Sequence, residues 1–249
     1  MLEVVSILLA GVAAGTINTI VGSGTLITFP VLLAFGYPPV VANVSNTIGL
    51  VPGSLSGAYG YRHELAGQGR RAVRLGAASL VGGTLGAVAL LLLPASAFSA
   101  IVPGFIAIAL ALVLFQPRLA RHLAQRGHAT ARDGGLLALT AIFAAGLYGG
   151  YFGAAQGILL LAILGLALTE DLQRINALKN VLALIVNLVA GVIFVFVAHV
   201  AWAPALLLMG GSAAGGQLGA RVGRRLPAAA LRGFIVAVGL VAIAQLVLR

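Results

Sequence analysis

The chain has 249 residues, 61% of them hydrophobic and only 8% charged, whereas an ordinary soluble domain carries about 25% charged residues. The charges are lopsided, with 15 Lys and Arg against 5 Asp and Glu, and Cys is absent. This composition excludes a water-soluble domain, a disulfide scaffold, thiolate chemistry and cysteine metal sites.

Apolar segments are predicted in chain order at 2–21, 25–36, 41–61, 73–93, 98–115, 135–152, 157–168, 178–198, 203–220 and 229–248. The first opens with Met1-Leu2-Glu3-Val4, which lacks the basic start of a cleaved signal, so it reads as a retained helix. A run such as Leu80 to Leu93 does not alternate as a barrel strand would. The fold class is therefore all-α, a polytopic transmembrane helical bundle. Segments 25–36 and 157–168 are too short to cross: 12 residues give about 18 Å of helix against a hydrocarbon core of about 30 Å. Each follows a Gly-rich break, Gly22-Ser23-Gly24-Thr25 in one case and Gly149 to Gly157 in the other. They are predicted to be broken or re-entrant half-helices.

The second half echoes the first. Gly82-Gly83-Thr84-Leu85-Gly86-Ala87 matches Gly215-Gly216-Gln217-Leu218-Gly219-Ala220 at an offset of 133. At that offset Leu93-Pro94 falls on Leu226-Pro227, and Asn43, Asn46 and Thr47 fall on Asn176, Lys179 and Asn180. Ala13-Ala14-Gly15 matches Ala144-Ala145-Gly146 at an offset of 131. A tandem duplication accounts for these coincidences, with residues 1–115 as the first repeat, 116–134 as a basic cytoplasmic linker and 135–249 as the second repeat.

Basic residues set the direction of each copy. Arg62, Arg70, Arg71 and Arg74 form one cluster, Arg118, Arg121, Arg126 and Arg132 a second, and Arg221, Arg224, Arg225 and Arg232 a third. Short loops rich in Lys and Arg stay on the cytoplasmic side, where anionic lipid head groups supply the counter-charge. This distribution speaks against nucleic acid as the partner. The basic loop precedes the GGTLGA helix but follows the GGQLGA helix, so equivalent helices run oppositely. That is the inverted-topology repeat of many secondary transporters.

Irregular backbone inside hydrocarbon is tolerated where protein or a water-filled route satisfies it. Each break therefore reads either as a transport route or as a packing kink permitted by Gly. At the start of a half-helix, free N–H groups and the helix dipole favour anions. Beyond each half-helix, Asn43, Asn46 and Thr47 share one helix face, as do Asn176, Lys179 and Asn180. These stripes line a polar cavity or bond helices together. Lys179 is the only Lys; it either meets an anion or snorkels towards Glu170 and Asp171, for which Arg174 competes. Gly211, Gly215, Gly219 and Gly223 allow close helix approach. Trp202 beside His199, and Tyr59 with Tyr61, read as interfacial anchors.

No carboxylate falls within a span, so coupled pumping has no evident residue, and a cell's negative interior already drives anions outward by about 2.3 kcal/mol per charge per 100 mV; this favours efflux over concentrative uptake, with backbone carbonyls left open as Na⁺ ligands. The scattered His63, His122, His128 and His199 suggest no metal site, and no cofactor is expected. Ser23 and His199 also raise an intramembrane serine protease as a remote alternative.

Ala14-Gly15, Gly22 to Ile27, Pro30-Val31-Leu32 with Gly36, Ala42 to Asn46 and Gly53 to Gly57 together resemble the sulfite exporter TauE/SafE family, and Gly149 to Gly157 resembles its repeated motif. The chain departs from the family's denser Gly run and following Pro at Ala154-Ala155-Gln156 and Leu161. The resemblance implies a multi-pass transporter of the bacterial inner membrane exporting sulfite or a small organosulfur anion. It implies substrate contacts at Gly22, Ser23, Gly24 and Thr25 and at Gly153, Gln156 and Gly157. Together with the two stripes these form the expected substrate site, exposed alternately by rocking of one copy against the other. An anion channel or a carboxylate transporter remains an alternative, and so does either a monomer or a homodimer.

Overall fold

A computed structural model describes residues 1–125 and 135–222, with residues 233, 236, 237 and 240 beyond them. The basic residues Arg126, Arg132, Arg224, Arg225 and Arg232, together with His128, Gly223, the Leu226-Pro227 match and nearly all of the segment at 229–248, lie outside the described residues. So do the side chains of Arg121 and His122.

The described residues form helices without strands: α1 (Leu2–Ile20), α2 (Thr25–Ala34), α3 (Pro39–Gly60), a 3₁₀ turn (Arg62–Leu65), α4 (Gly69–Leu92), α5 (Ala95–Gln125), α6 (Gly135–Tyr151), α7 (Gln156–Ala167), α8 (Leu172–Val197) and α9 (Trp202–Val222). Among the described residues, four stretches are long and apolar enough to cross a bilayer, namely Leu2–Ile20, Gly69–Leu92, Ala95–Phe115 and Leu172–Val197. Large apolar side chains stand on the outside, with Leu92 79%, Leu137 82% and Phe196 83% exposed. Such a surface suits lipid and would be an aggregation hazard in water.

The short helices α2 and α7, at 10 and 12 residues, begin where the sequence predicts. Their separation from the preceding helix has one local cause. Gly22 and Gly153 adopt φ of +87° and +76°, a left-handed turn open to Gly. The N–H groups of Gly22 and Gly153 reach back to the carbonyls of Ile17 and Tyr148, both at 3.1 Å, and those of Val21 and Phe152 bond the same two oxygens. This is the usual way for a helix to close its C-terminal end.

Packing repeats at the same two sequence offsets. A Cβ on Gly82 or Gly86 of α4 would strike the carbonyls of Phe143 or Leu147 on α6, and one on Gly215 or Gly219 of α9 would strike those of Val12 or Thr16 on α1. Likewise Gly146 lies on the Ser79 carbonyl and Gly15 on the Ser212 carbonyl. The α1–α9 and α4–α6 seams are thus backbone against backbone, as small residues allow in membranes. Gly211 joins the first seam, in keeping with its expected packing role. Helix α8 lies across both α3 and α4.

The core is asymmetric in its aromatic content. Phe29 of α2 meets Phe152 at 5.2 Å and Phe98 of α5 at 6.4 Å, both edge to face, while Phe105 packs on Tyr148 at 5.3 Å. Each such pair contributes about 0.5–1.5 kcal/mol beyond area burial. The rings gather at the α6–α7 break.

Candidate substrate site

The two breaks touch. The Gly157 N–H at the start of α7 donates to the Gly22 carbonyl at 3.0 Å, and a Cβ on either glycine would overlap the other's Cα. One of the amides freed by the second break is therefore spent on the first break. At the start of α2, by contrast, the amides of Ser23, Gly24 and Thr25 donate no hydrogen bond among the described residues. Ser23 is buried and its Oγ has no partner; Gln156 is buried and its Nε2 has none. The Gln156 amide lies against Gly149, where any Cβ would collide with it. Ala155 enters α7 at φ +58°, a left-handed alanine that costs about 1–2 kcal/mol.

The polar stripes reach across the molecule. Asn43 Nδ2 donates to the Tyr151 carbonyl at 3.0 Å, at the end of α6. Asn176 and Asn180 each donate Nδ2 to the Thr19 carbonyl at 3.3 Å, near the end of α1. Each stripe therefore holds the last turn of the other half's first helix, where carbonyls lack helical partners. Asn46 does otherwise: its Nδ2 donates to Thr25 Oγ1 at 3.3 Å and its Oδ1 accepts a very short bond from the Thr28 hydroxyl. Thr47 Oγ1 donates to the Asn43 carbonyl at 2.9 Å. The Oδ1 atoms of Asn43 and Asn176 have no partner.

Lys179 is fully buried. Its Nζ donates to the carbonyls of Asn18 at 3.0 Å and Thr19 at 3.1 Å. A cation at a helix C-terminal end meets the negative pole of the dipole. The two acids offered by the snorkelling reading are engaged elsewhere. Glu170 pairs with Arg71 at 2.8 Å and Arg174 at 2.6 Å, and the Arg71 hydrogen bond holds its carboxyl below the usual carboxylate range. Asp171 caps α8 by accepting from the amides of Gln173 and Arg174.

Of the thirteen expected site residues, all are buried except Gly153, which is half-buried. The structure joins Gly22 to Gly157 and Asn46 to Thr25, and it sends Asn176, Lys179 and Asn180 together to α1. It places no hydrogen bond between the two stripes. Ser23 and His199 form no dyad, since Ser23 Oγ is unpartnered and His199 is exposed. Tyr59 and Trp202 are exposed as interfacial anchors should be, but Tyr61 is buried, at 3% exposure, and is not one. Sequence reasoning passed over Asn18, Thr19 and Thr28. Counting back four residues from the helix-ending Gly22 would have pointed to the first two, because unpaired carbonyls fall there.

Helices that cross a bilayer, two broken segments meeting within the bundle and buried polar groups at the junction define a membrane transporter by class. The sequence profile described as "Sulfite exporter TauE/SafE" matches residues 7–246, and the chain belongs to this family. A protein of Haemophilus influenzae described as "Probable membrane transporter protein" is 27% identical over 213 residues, covering 85% of this chain and 82% of its own. The "Probable membrane transporter protein YfcA" of Escherichia coli K12 is 29% identical over 222 residues, covering 86% and 76%. The "Probable membrane transporter protein ORF9" of a Sinorhizobium species is 29% identical over 214 residues, covering 85% and 80%. No solved structure matches the chain.

Proposed function

We propose that this chain carries a small anion, with sulfite and organosulfonates as the first candidates, across the bacterial inner membrane. The observation that carries this reading is the junction at Gly22 and Gly157, with unspent amides at Ser23, Gly24 and Thr25 and unpaired Ser23 Oγ and Gln156 Nε2 beside it. A buried donor without a partner costs about 1–3 kcal/mol, and an anion bound there satisfies several at once. Lys179 adds positive charge from beneath the α1 end, and the further stripe residues Asn43, Asn46, Thr47, Asn176 and Asn180 shape the walls.

The two halves are inverted repeats, and relative motion at the Gly22–Gly157 contact opens the site to either side in turn. In support, α2 and α7 start 131 residues apart, and α3 and α8 start 133 apart, as do α4 and α9. Arg62, Arg70 and Arg74 are exposed at one end of the bundle, where anionic head groups would meet them. The family's name favours sulfur oxyanions over carboxylates.

Flux of radiolabelled sulfite, taurine and acetate into proteoliposomes, with a set membrane potential, tests the proposal. Sulfite or sulfonate flux that responds to potential is expected. Gly24→Leu, whose side chain would meet the Ala14 carbonyl at 2.6 Å, should reduce it at least tenfold while the protein still elutes as a folded species. Potential-independent counts equal to empty liposomes for every anion would overturn the reading.

A further inference from the structure

The ends of α1 and α6 correspond residue by residue. In α1 the Ile17 carbonyl takes the two terminal amides, and in α6 the Tyr148 carbonyl does. The next two carbonyls are Asn18 and Thr19 in one helix, Gly149 and Gly150 in the other. At α1 these oxygens receive the Lys179 ammonium. At α6 the Gly149 and Gly150 carbonyls accept no hydrogen bond among the described residues. The residue 133 positions before Lys179 is Asn46, which turns to Thr25 and Thr28 instead. Two buried side chains at the α6 end also have capacity to spare. Asn43 is wholly buried and its Oδ1 is unpartnered once Nδ2 has bonded the Tyr151 carbonyl. Gln156, 3% exposed, has its amide against Gly149, and its Oε1 accepts no hydrogen bond among the described residues.

We propose that the end of α6 binds a sodium-sized monovalent cation through the Gly149 and Gly150 carbonyls, Asn43 Oδ1 and the Gln156 amide oxygen, the place matched at α1 by the Lys179 ammonium. Oxygen ligands with no hydrogen to donate attract cations, and a helix C-terminal end adds its negative pole. The ligands are all neutral. Calcium sites draw on carboxylates, and magnesium strips its water reluctantly, so a carboxylate-free set suits a single charge. Such a site goes beyond anion recognition: one half carries a tethered cation and the other an exchangeable one, which ties anion movement to the sodium gradient.

The test is binding of ²²Na⁺ to the purified full-length protein in detergent, with potassium and choline as competitors. Saturable sodium binding near one ion per chain is expected, with choline failing to compete. Asn43→Leu should weaken it tenfold or more. Asn46→Lys, which supplies the first half with the second half's ammonium, should abolish it. Should that variant fail to fold, Asn43→Asp provides the check by tightening binding about tenfold. No saturable binding to the wild type, or binding untouched by these substitutions, overturns the proposal. Sulfite flux that is unchanged when choline replaces sodium likewise sinks the cation site while leaving anion transport standing; sodium binding without anion flux does the reverse.

Discussion

The α1 and α6 ends share a backbone closure and differ in what answers it. At α1, three side chains from one stripe converge on two carbonyls, and one of them brings a full charge. At α6, a single amide arrives and two carbonyls stay unanswered among the described residues. The backbone closure is common to both ends, while their electrostatic character differs with the residues at matched positions such as Asn46 and Lys179. Two helix ends can share one backbone closure and carry unlike chemistry.

Four substitutions break or sharpen this comparison. The largest effect belongs to the contact both ends depend on. Gly157→Val places a branched side chain on the Gly22 backbone and should cost about 3 kcal/mol by overpacking, read as a lowered thermal midpoint in detergent. Lys179→Leu comes next, with a loss of about 2 kcal/mol, because the part-buried Asn18 carbonyl is left without a donor. Thr19 keeps Asn176 and Asn180. Equal midpoints for wild type and Lys179→Leu would show that the ammonium does not hold the α1 end.

Ala155→Gly should act in the opposite direction, stabilising by about 1 kcal/mol as the left-handed residue loses its Cβ strain. Its counterpart 131 positions earlier, Gly24, is right-handed at φ −58°, so the gain is confined to the second break. The smallest effect is expected at Glu170. Its carboxyl is depressed in the folded protein, so the stabilisation it provides is complete above the ordinary carboxylate value and is lost as pH falls through the lower folded value. Glu170→Gln should cost about 0.5–1 kcal/mol at pH 7, read as a lowered midpoint, and the gap to wild type should begin to close only once pH falls below the ordinary carboxylate value.

Local features were legible in the sequence. The half-helix expected at 25–36 is Thr25–Ala34 and that at 157–168 is Gln156–Ala167, because Gly punctuation and run length are properties of neighbouring residues. The shared faces of Asn43, Asn46 and Thr47, and of Asn176, Lys179 and Asn180, followed from helical spacing alone. What each face bonds did not. Lys179 meets Asn18 and Thr19, about 160 residues away in sequence, and no spacing rule reports which helix end lies opposite. Electrostatic pairing misled for a similar reason: Glu170 is near Lys179 in the chain, yet Arg71 reaches it from α4. Tyr61 lies only two residues beyond Tyr59 but is buried, since α3 ends between them and the chain turns inward.

The glycine seams pair α1 with α9 and α6 with α4, so each tightly joined couple takes one member from each half of the sequence. Neither half of the chain, produced by itself, owns a complete seam. Its leading helix would expose a groove shaped for a partner that another polypeptide must bring. The protein is in this sense an exchange of arms within one molecule, and each of its tightest helix pairs mixes the two sequence halves.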